Sequence, residues 1–159
     1  MISKNTKTFQ IIIPSPLGNL MAQATNEALF CLDFFDDTTQ ITQNENEMLS
    51  ETKKQLDEYF LGTRKKFTMP LAPYGTPFQK DVWNILCKTG FGKTLSYKEE
   101  AKLLGNPKAY RAVANANGKN PISIIIPCHR VISSDGKIGG YSDGIWRKEF
   151  LLTLEGVKC

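Results

Sequence analysis

The chain has 159 residues, of which 41% are hydrophobic and 23% are charged, and it contains four cysteines and a single histidine. This length indicates one or two compact domains with a buried core. The apolar runs are too short to cross a bilayer and the N-terminus lacks the apolar stretch of a signal peptide, so we expect a cytoplasmic protein with no membrane partner.

The histidine and cysteine content excludes most metal sites. One histidine cannot supply a site that needs two imidazoles, and the cysteines are too dispersed for a zinc ribbon. A chain of this size without an export signal needs no disulfides, so we expect reduced thiols, no metal and no cofactor. The cysteines are Cys31, Cys87, Cys128 and Cys159.

Charge is distributed unevenly along the chain. Residues 77–159 contain 13 Lys or Arg against 7 Asp or Glu, whereas residues 1–76 contain 7 against 9. A basic half attracts polyanions in general. A solvated basic surface explains the charge equally well, so this feature alone does not identify nucleic acid as a partner.

The N-terminal part has the pattern of an antiparallel sheet followed by a helix. Three apolar runs separated by turn residues predict a three-stranded meander. Apolar residues at helical spacing then predict a helix that ends at Gly62. Prolines and glycines crowd into positions 70–77, so we place a domain boundary near Gly75, with domains at 1–75 and 76–159. The three runs are residues 9–13, 20–24 and 29–35.

The C-terminal part has a helical pattern with clear start signals. Thr76 and Ser96 are each followed three residues later by Gln79 or Glu99, which predicts two helices that begin with capping boxes. A Gly-Asn turn at 105–106 then leads into a third helix. Two short helices joined in this way are typical of a helix-turn-helix and also of an ordinary helical hairpin.

The third helix is predicted to begin after Asn106, with Pro107 at its first position. Its core face is predicted from apolar residues that recur at i, i+3, i+4 and i+7, which leaves Arg111 on the opposite face beside Ala114 and Asn115. That outward face is either solvated, or its small side chains let the backbone approach a nucleic-acid groove while Arg111 reaches a phosphate or enters the base stack. The predicted core residues are Ala109, Ala112, Val113 and Ala116.

A reactive group is predicted after the apolar run Ile122–Ile126, which reads as a short buried strand that Pro127 stops. Cys128, His129 and Arg130 follow at once, and both cationic neighbours favour a thiolate. A buried structural cysteine is the alternative, because neighbouring side chains on an extended chain point in opposite directions.

The last predicted helix covers Ile145–Glu155 and ends at Gly156. Glu155 therefore lies at a helix C-terminus, where the helix dipole disfavours a carboxylate. It is either a solvated surface acid or a carboxylate that another group holds in place.

The segment Pro127-Cys128-His129-Arg130-Val131 resembles the active-site motif of the O6-alkylguanine-DNA alkyltransferases, also called methylated-DNA–protein-cysteine methyltransferases. The resemblance covers nearly all of the C-terminal domain in the same order, for example at Gly105-Asn106-Pro107-Lys108-Ala109 and Glu155-Gly156, and is loose in the N-terminal part. It implies an α+β fold, with a ribonuclease H-like N-terminal antiparallel sheet and helix. The C-terminal domain is then mainly helical, with a helix-turn-helix and a short active-site strand.

The resemblance also implies an activity. It implies irreversible repair of double-stranded DNA, in which the alkyl group on O6 of guanine, or on O4 of thymine, moves to Cys128 after minor-groove binding and base flipping. His129 would be the base acting through a water, and Glu155 would orient it. Asn120 would brace the turn before the active-site strand, and Tyr97 would hydrogen-bond the guanine.

Further residues are implied to hold the DNA and the base. Arg111 would fill the stack that the flipped nucleotide leaves. The other implied DNA contacts are Tyr97, Lys108, Ala109, Ala112, Ala114 and Asn115. The implied pocket residues are Val131, Gly139, Tyr141, Ser142 and Asp143, with the backbone of Cys128 and Val131 accepting from the guanine amine. The implied partner is double-stranded DNA containing O6-alkylguanine, bound by a monomer.

Two departures from the family pattern bear on function. Asp143 stands where most members have glycine or another small or basic residue, so we expect an effect on the tolerance of bulky adducts. Because His129 is the only histidine, the zinc site of some members cannot form here. Two other classes of function stay open: a DNA-binding or damage-sensing module with an incidental thiol, and a thiol hydrolase or redox protein with multiple turnover.

Overall fold

The computed structural model describes residues 5–37 and 41–158 and divides the chain into two units, Met1–Tyr74 and Gly75–Cys159. Within these described ranges, no helix is both long and apolar enough to cross a bilayer. Cys31, Cys87 and Cys128 are free thiols, whereas Cys159 lies outside the described residues.

The N-terminal unit contains an antiparallel sheet and one helix, which confirms the predicted meander. Strands β1 to β3 pair in chain order, and β2 buries alternate residues toward the helix α1. The side chain of Asn46 caps α1 by accepting from the Leu49 amide, and Leu56 and Tyr59 are buried on its inner face. Burial of each such side chain contributes about 2 kcal/mol. The elements are β1 (Phe9–Ile13), β2 (Leu20–Ala24), β3 (Leu29–Phe34) and α1 (Glu47–Phe60).

The C-terminal unit is mainly helical, with two short parallel strands. Thr76 and Ser96 form the capping boxes that the sequence predicts. The indole of Trp83 on α2 is buried and donates to the Ala116 carbonyl of α4 at 2.9 Å, which joins these two helices. The helices are α2 (Pro77–Cys87), α3 (Tyr97–Leu103), α4 (Tyr110–Gly118) and α5 (Ile145–Leu154), and the strands are β4 (Leu95–Ser96) and β5 (Val131–Ile132).

The predicted start of the third helix is wrong. Residues 107–109 form a turn, in which the Ala109 amide donates to the Asn106 carbonyl, and α4 begins at Tyr110 without a side-chain cap. The buried face of α4 also differs from the prediction. Ala112 is exposed, and the core face consists of Val113, Ala116 and Asn117. Asn117 can belong to this face because its side-chain amide donates to the buried carboxyl of Glu100 on α3. An apolar pattern cannot reveal such a contact.

The predicted strand at Ile122–Ile126 is also wrong, because residues 123–125 form a turn and Ile126 lies in a bend. Ile124 adopts a φ of 74°, a left-handed conformation that is uncommon for a β-branched residue. The Ile126 amide donates to the Ile122 carbonyl at 3.0 Å. The whole run is buried, so the apolar pattern predicted the burial correctly but not the conformation. A strand does follow, but only as β5 after the cysteine.

Candidate active site

The thiol of Cys128 lies at the wall of a cavity. Cys128 begins a 3-10 turn, Cys128–Arg130, that leads directly into β5. The cavity has a volume of about 230 Å³ and brings together residues from α3, α4 and the loop before α5, so one thiol faces a space bounded by three parts of the C-terminal unit. The lining residues are Tyr97, Ala114, Asn117, Gly118, Cys128, Gly140, Tyr141 and Ser142.

Asn120 holds the turns that precede Cys128. Its Nδ2 donates to the Ile126 carbonyl at 2.7 Å and to the Cys128 sulfur at 3.3 Å. Its Oδ1 accepts from the Ile122 amide at 2.9 Å. One amide side chain therefore satisfies both ends of the buried segment and contacts the thiol, since buried backbone groups need partners.

A buried ionic network lies behind the cysteine. The Nε2 atom of His129 lies 2.7 Å from Oε2 of Glu155, and both side chains are fully buried. Arg130 binds the same carboxylate with two nitrogens, at 2.8 and 3.1 Å, and its third nitrogen donates to the Thr89 carbonyl. The carboxylate of Glu155 therefore joins two residues that lie more than twenty positions earlier in the chain.

The protonation states of this network follow from burial and its partners. Burial alone would raise the pKa of Glu155, but hydrogen bonds from His129 and Arg130 outweigh it and hold the pKa below its usual range. Burial lowers the pKa of His129, and Glu155 offsets only part of that effect. His129 is thus neutral beside an ionised carboxylate, so Nε2 carries the proton and Nδ1 carries a lone pair. Nδ1 is buried without a hydrogen-bond partner among the described residues.

The expected thiolate is contradicted by this arrangement. Burial raises the pKa of the Cys128 thiol to about 11, against smaller lowering effects of Asn120 and Lys148. The two adjacent side chains supply no free cation, because Arg130 binds Glu155 and His129 is neutral. Cys128 is therefore a protonated thiol at neutral pH, and it must lose its proton as it reacts.

Several supporting residues were missed by sequence reasoning. The Gly92 amide donates to Oε1 of Glu155 at 3.2 Å, and a Cβ on Gly92 would lie 2.9 Å from the Glu155 carbonyl oxygen. Lys148 is fully buried and donates to the carbonyls of Val131 and Gly140. These contacts are long-range, and no local pattern identifies them; a lysine inside the otherwise apolar face of α5 was the only available signal.

The residues expected to contact DNA are mostly exposed. Arg111 projects into solvent from α4, together with Ala112, Ala114 and Asn115, and Lys108 is exposed in the preceding turn. Ala109 is half-buried beside them. Ala114 also lines the cavity, so the exposed face of α4 continues into the space before Cys128.

The expected pocket residues lie around the same cavity or support it. Tyr141 and Ser142 line it directly. Val131 is buried, and its carbonyl already accepts from Lys148. Gly139 has a φ of 75°, and a Cβ there would lie 3.2 Å from the Tyr97 hydroxyl. Asp143 accepts from the Ser123 hydroxyl at 3.1 Å.

No group of three or more His, Cys, Asp or Glu side chains in the part of the chain that the structure describes is arranged to hold an ion.

Comparison with known proteins assigns the family. Residues 77–157 match the family model for the 6-O-methylguanine DNA methyltransferase DNA binding domain, and residues 9–73 match that for its ribonuclease-like domain. A methylated-DNA–protein-cysteine methyltransferase of Methanosarcina barkeri is 47% identical over 149 residues, which cover 91% of this chain and 94% of the relative. A constitutive relative from Bacillus subtilis is 40% identical, over 90% and 92% of the two chains.

Solved structures show the same fold. The O6-methylguanine methyltransferase of Mycobacterium tuberculosis superposes with a TM-score of 0.83 at 39% identity, covering 94% of this chain and 93% of that one. The M. tuberculosis protein OGT in complex with DNA gives a TM-score of 0.82 at 42% identity, over 91% and 90% of the chains. The expected α+β fold with a ribonuclease-like N-terminal domain is confirmed.

The fold and the buried thiol site define a two-part protein of the DNA alkyl-repair class. The chain belongs to the 6-O-methylguanine DNA methyltransferase family, and it is an enzyme of that class.

Proposed function

We propose that this protein repairs double-stranded DNA by moving the alkyl group of O6-alkylguanine, and of O4-alkylthymine, to the sulfur of Cys128. The observation that carries the proposal is the thiol at the cavity wall, backed by the buried His129–Glu155 pair. A base inside a duplex cannot present its O6 substituent to such a cavity, so the nucleotide must flip out of the stack first.

The reaction needs a base, because the resting thiol is protonated. The lone pair on Nδ1 of His129 accepts the thiol proton through a bound water, and the ionised Glu155 stabilises the imidazolium that results. As the sulfur–carbon bond forms, the carbon–O6 bond breaks and its electron pair stays on the guanine. The Tyr97 hydroxyl at the cavity wall donates to ring N3 of the leaving base.

The product explains a single turnover. The sulfur becomes a thioether with no ionisable proton, and displacing its alkyl group would require a second nucleophile in the cavity. The other two described cysteines lie outside the cavity lining. One protein molecule therefore repairs one base.

The exposed face of α4 is the proposed contact with DNA. Its small residues allow the helix to enter the minor groove closely, while Arg111 fills the space that the flipped nucleotide leaves. The M. tuberculosis protein OGT is described as a complex with DNA, which supports a DNA partner for this chain. The cytoplasmic location, the monomeric state and the domain boundary at 75/76 stay predictions.

Intact-mass spectrometry tests the chemistry. After incubation with a duplex containing O6-methylguanine, we expect a gain of one methyl group per protein molecule, mapped to the Cys128 peptide. Cys128→Ala should show no gain, and Cys87→Ala, which removes an exposed thiol, should behave like wild type. An unmodified Cys128 peptide, or repeated turnover, would contradict the proposal. A damage-sensing module predicts that Cys128→Ala still protects cells.

The role of Arg111 has a separate test. Arg111→Ala should slow repair of duplex DNA by about tenfold or more while leaving reaction with a free alkylated base unchanged, because only the duplex has a stack to fill. Lys80→Ala, which removes an exposed cation from α2, is the matched control. Equal losses on both substrates would contradict the intercalating role.

A further inference from the structure

A second buried carboxyl in the C-terminal unit is not used by the proposed reaction. Glu100 of α3 is fully buried, and its Oε1 accepts from Nδ2 of Asn117 on α4 at 2.7 Å. The other carboxyl oxygen, Oε2, and the amide oxygen of Asn117 are both buried without a hydrogen-bond partner among the described residues. A buried oxygen without a hydrogen-bond donor lowers the stability of the folded state, and this pair of side chains contains two such oxygens. Their arrangement therefore requires an explanation.

A single proton on Oε2 would give both oxygens a partner. A neutral carboxylic acid presents one donor and one acceptor, and a primary amide presents the complementary pair. Oε2–H then donates to Oδ1 of Asn117 while the amide donates back to Oε1, and no buried polar atom of either side chain is left over.

The surroundings favour the neutral acid. Burial raises the pKa of Glu100 to about 7, and the hydrogen bond from Asn117 lowers it only in part. The helices packed against α3 supply no buried cation, since their charged side chains are exposed. These are Lys80 and Asp81 on α2, Lys98, Glu99 and Lys102 on α3 itself, and Arg111 on α4. The strands β4 and β5 carry no charged residue, and Tyr97 is the titratable group that Glu100 influences.

The pair lies next to the cavity. Asn117 and Tyr97 both line it, from α4 and α3 respectively, and Glu100 lies one helical turn after Tyr97. A negative charge on Glu100 raises the pKa of Tyr97, in addition to the larger effect of burial. An ionised Glu100 would thus make the tyrosine a poorer proton donor and would lose one of the two bonds between the helices.

We propose that Glu100 is a positioning residue that acts as a neutral carboxylic acid. It locks α3 to α4 through two hydrogen bonds with Asn117, and so holds Asn117 and Tyr97 in place at the wall of the Cys128 cavity. The role in repair rests on the proposed function, because that function makes the cavity the alkyl-transfer pocket. The charge state of Glu100 does not depend on it.

Carboxyl carbon NMR on the full chain tests the charge state. The side-chain carboxyl of Glu100, assigned through its own backbone in the wild type, should titrate with a midpoint near 7, well above the ordinary value of about 4.3 for a glutamate side chain. Assignment in the wild type makes this test independent of any variant. A Glu100 midpoint near the ordinary glutamate value would overturn the proposal.

The pH profile of methyl transfer tests the positioning role. Glu100→Gln keeps one donor and one acceptor at every pH, so its single-turnover rate should match wild type near about pH 6 and exceed it about threefold near about pH 8.5. Glu149→Gln, the same change at an exposed site, should follow wild type throughout.

The outcomes separate the two proposals. A rate ratio of Glu100→Gln to wild type that stays constant with pH, beside a Glu100 midpoint near 7, would overturn the positioning role and leave a purely structural pair. Absence of methyl transfer in wild type at every pH would overturn the proposed function, and with it the role in repair, while the NMR midpoint would still decide the charge state.

Discussion

Two side-chain carboxyls, Glu155 and Glu100, are buried in the described part of the C-terminal unit, and their pKa values are shifted in opposite directions. Glu155 receives hydrogen bonds from His129, Arg130 and the Gly92 amide, and its pKa lies below the usual range. Glu100 receives one hydrogen bond, from Asn117, and its pKa is raised to about 7. Both are almost completely removed from water. The number and charge of the donors, more than burial, decide whether a buried acid is ionised.

The difference matches the task of each region. In the proposed reaction, a negative charge at Glu155 stabilises the cation that forms on His129 during proton transfer, so that region needs an ionised acid. In the proposed complex, α4 lies against DNA, and a neutral acid with two directed hydrogen bonds is the better means of keeping the shape of the region between α3 and α4. Substitutions that alter the charge of these two carboxyls should therefore have the largest effects on stability and transfer rate.

Glu155→Gln should have the largest effect. It leaves the buried guanidinium of Arg130 without its charged partner, so we expect the free energy of unfolding to fall by about 3–5 kcal/mol. The transfer rate should fall by about a hundredfold.

The stability of the wild type should also depend on pH through Glu155. Because the folded-state pKa of Glu155 lies below 4.5, the stabilisation by the ionised carboxylate is present above that pH and is lost as pH falls. Glu155→Gln should not show this loss of stability at low pH. Urea unfolding against pH measures it, with Glu149→Gln as control; a loss below 1 kcal/mol would contradict the network.

At Glu100, the pH dependence of the free energy of unfolding should have the opposite sign to that at Glu155. Because its pKa is raised from 4.5 to about 7 in the folded state, folding takes up a proton between these values. The stabilisation of the protonated form is present below pH 4.5 and is lost as pH rises toward 7, up to about 3 kcal/mol in total. Comparing wild type with Glu100→Gln by urea unfolding cancels the contributions of other groups. Parallel curves for the two proteins would contradict a raised pKa.

Gly92→Ala should have an intermediate effect. The φ of Gly92 is +73°, and an added Cβ would lie 2.9 Å from the Glu155 carbonyl oxygen. We expect a loss of about 2 kcal/mol in the free energy of unfolding, together with slower transfer, because the backbone next to Glu155 must shift. Gly136→Ala is the matched control, since its φ is +84° but nothing lies within 4 Å of the added Cβ. Equal losses in both variants would show that φ alone is responsible.

Asp143→Asn should have the smallest effect. Burial raises the pKa of Cys128 most, and the negative charge of Asp143 raises it further. Removing its charge should lower that pKa slightly and speed alkylation of Cys128 by a small reagent about two- to threefold near neutral pH. Cys87, whose pKa is not influenced by Asp143, is an internal control in the same experiment. A slower Cys128 would contradict the electrostatic role of Asp143.

Local structure was largely predictable from local pattern. The meander of β1 to β3, the capping boxes at Thr76 and Ser96, and the end of α5 at Glu155 follow from neighbouring residues. The first turn of α4 and the turns at Ile122–Ile126 were not predictable in this way. The conformation of the segment Ile122–Ile126 depends on the side chain of Asn120, which bonds the Ile122 amide and the Ile126 carbonyl, and an apolar run reports burial without reporting conformation.

The candidate site shows the same division between features set by local sequence and features set by long-range contacts. The sequence by itself determined that Cys128, His129 and Arg130 are adjacent, that the family motif is present, and that one histidine excludes imidazole-rich metal sites. Only the tertiary structure decided which groups are charged. It places Glu155 against His129 and Arg130, so that Arg130 is paired with the carboxylate and His129 is neutral. Burial of Cys128, with no free cation beside it, then keeps the thiol protonated. Charge state depends on burial and on partners from distant parts of the chain, and adjacency in sequence specifies neither.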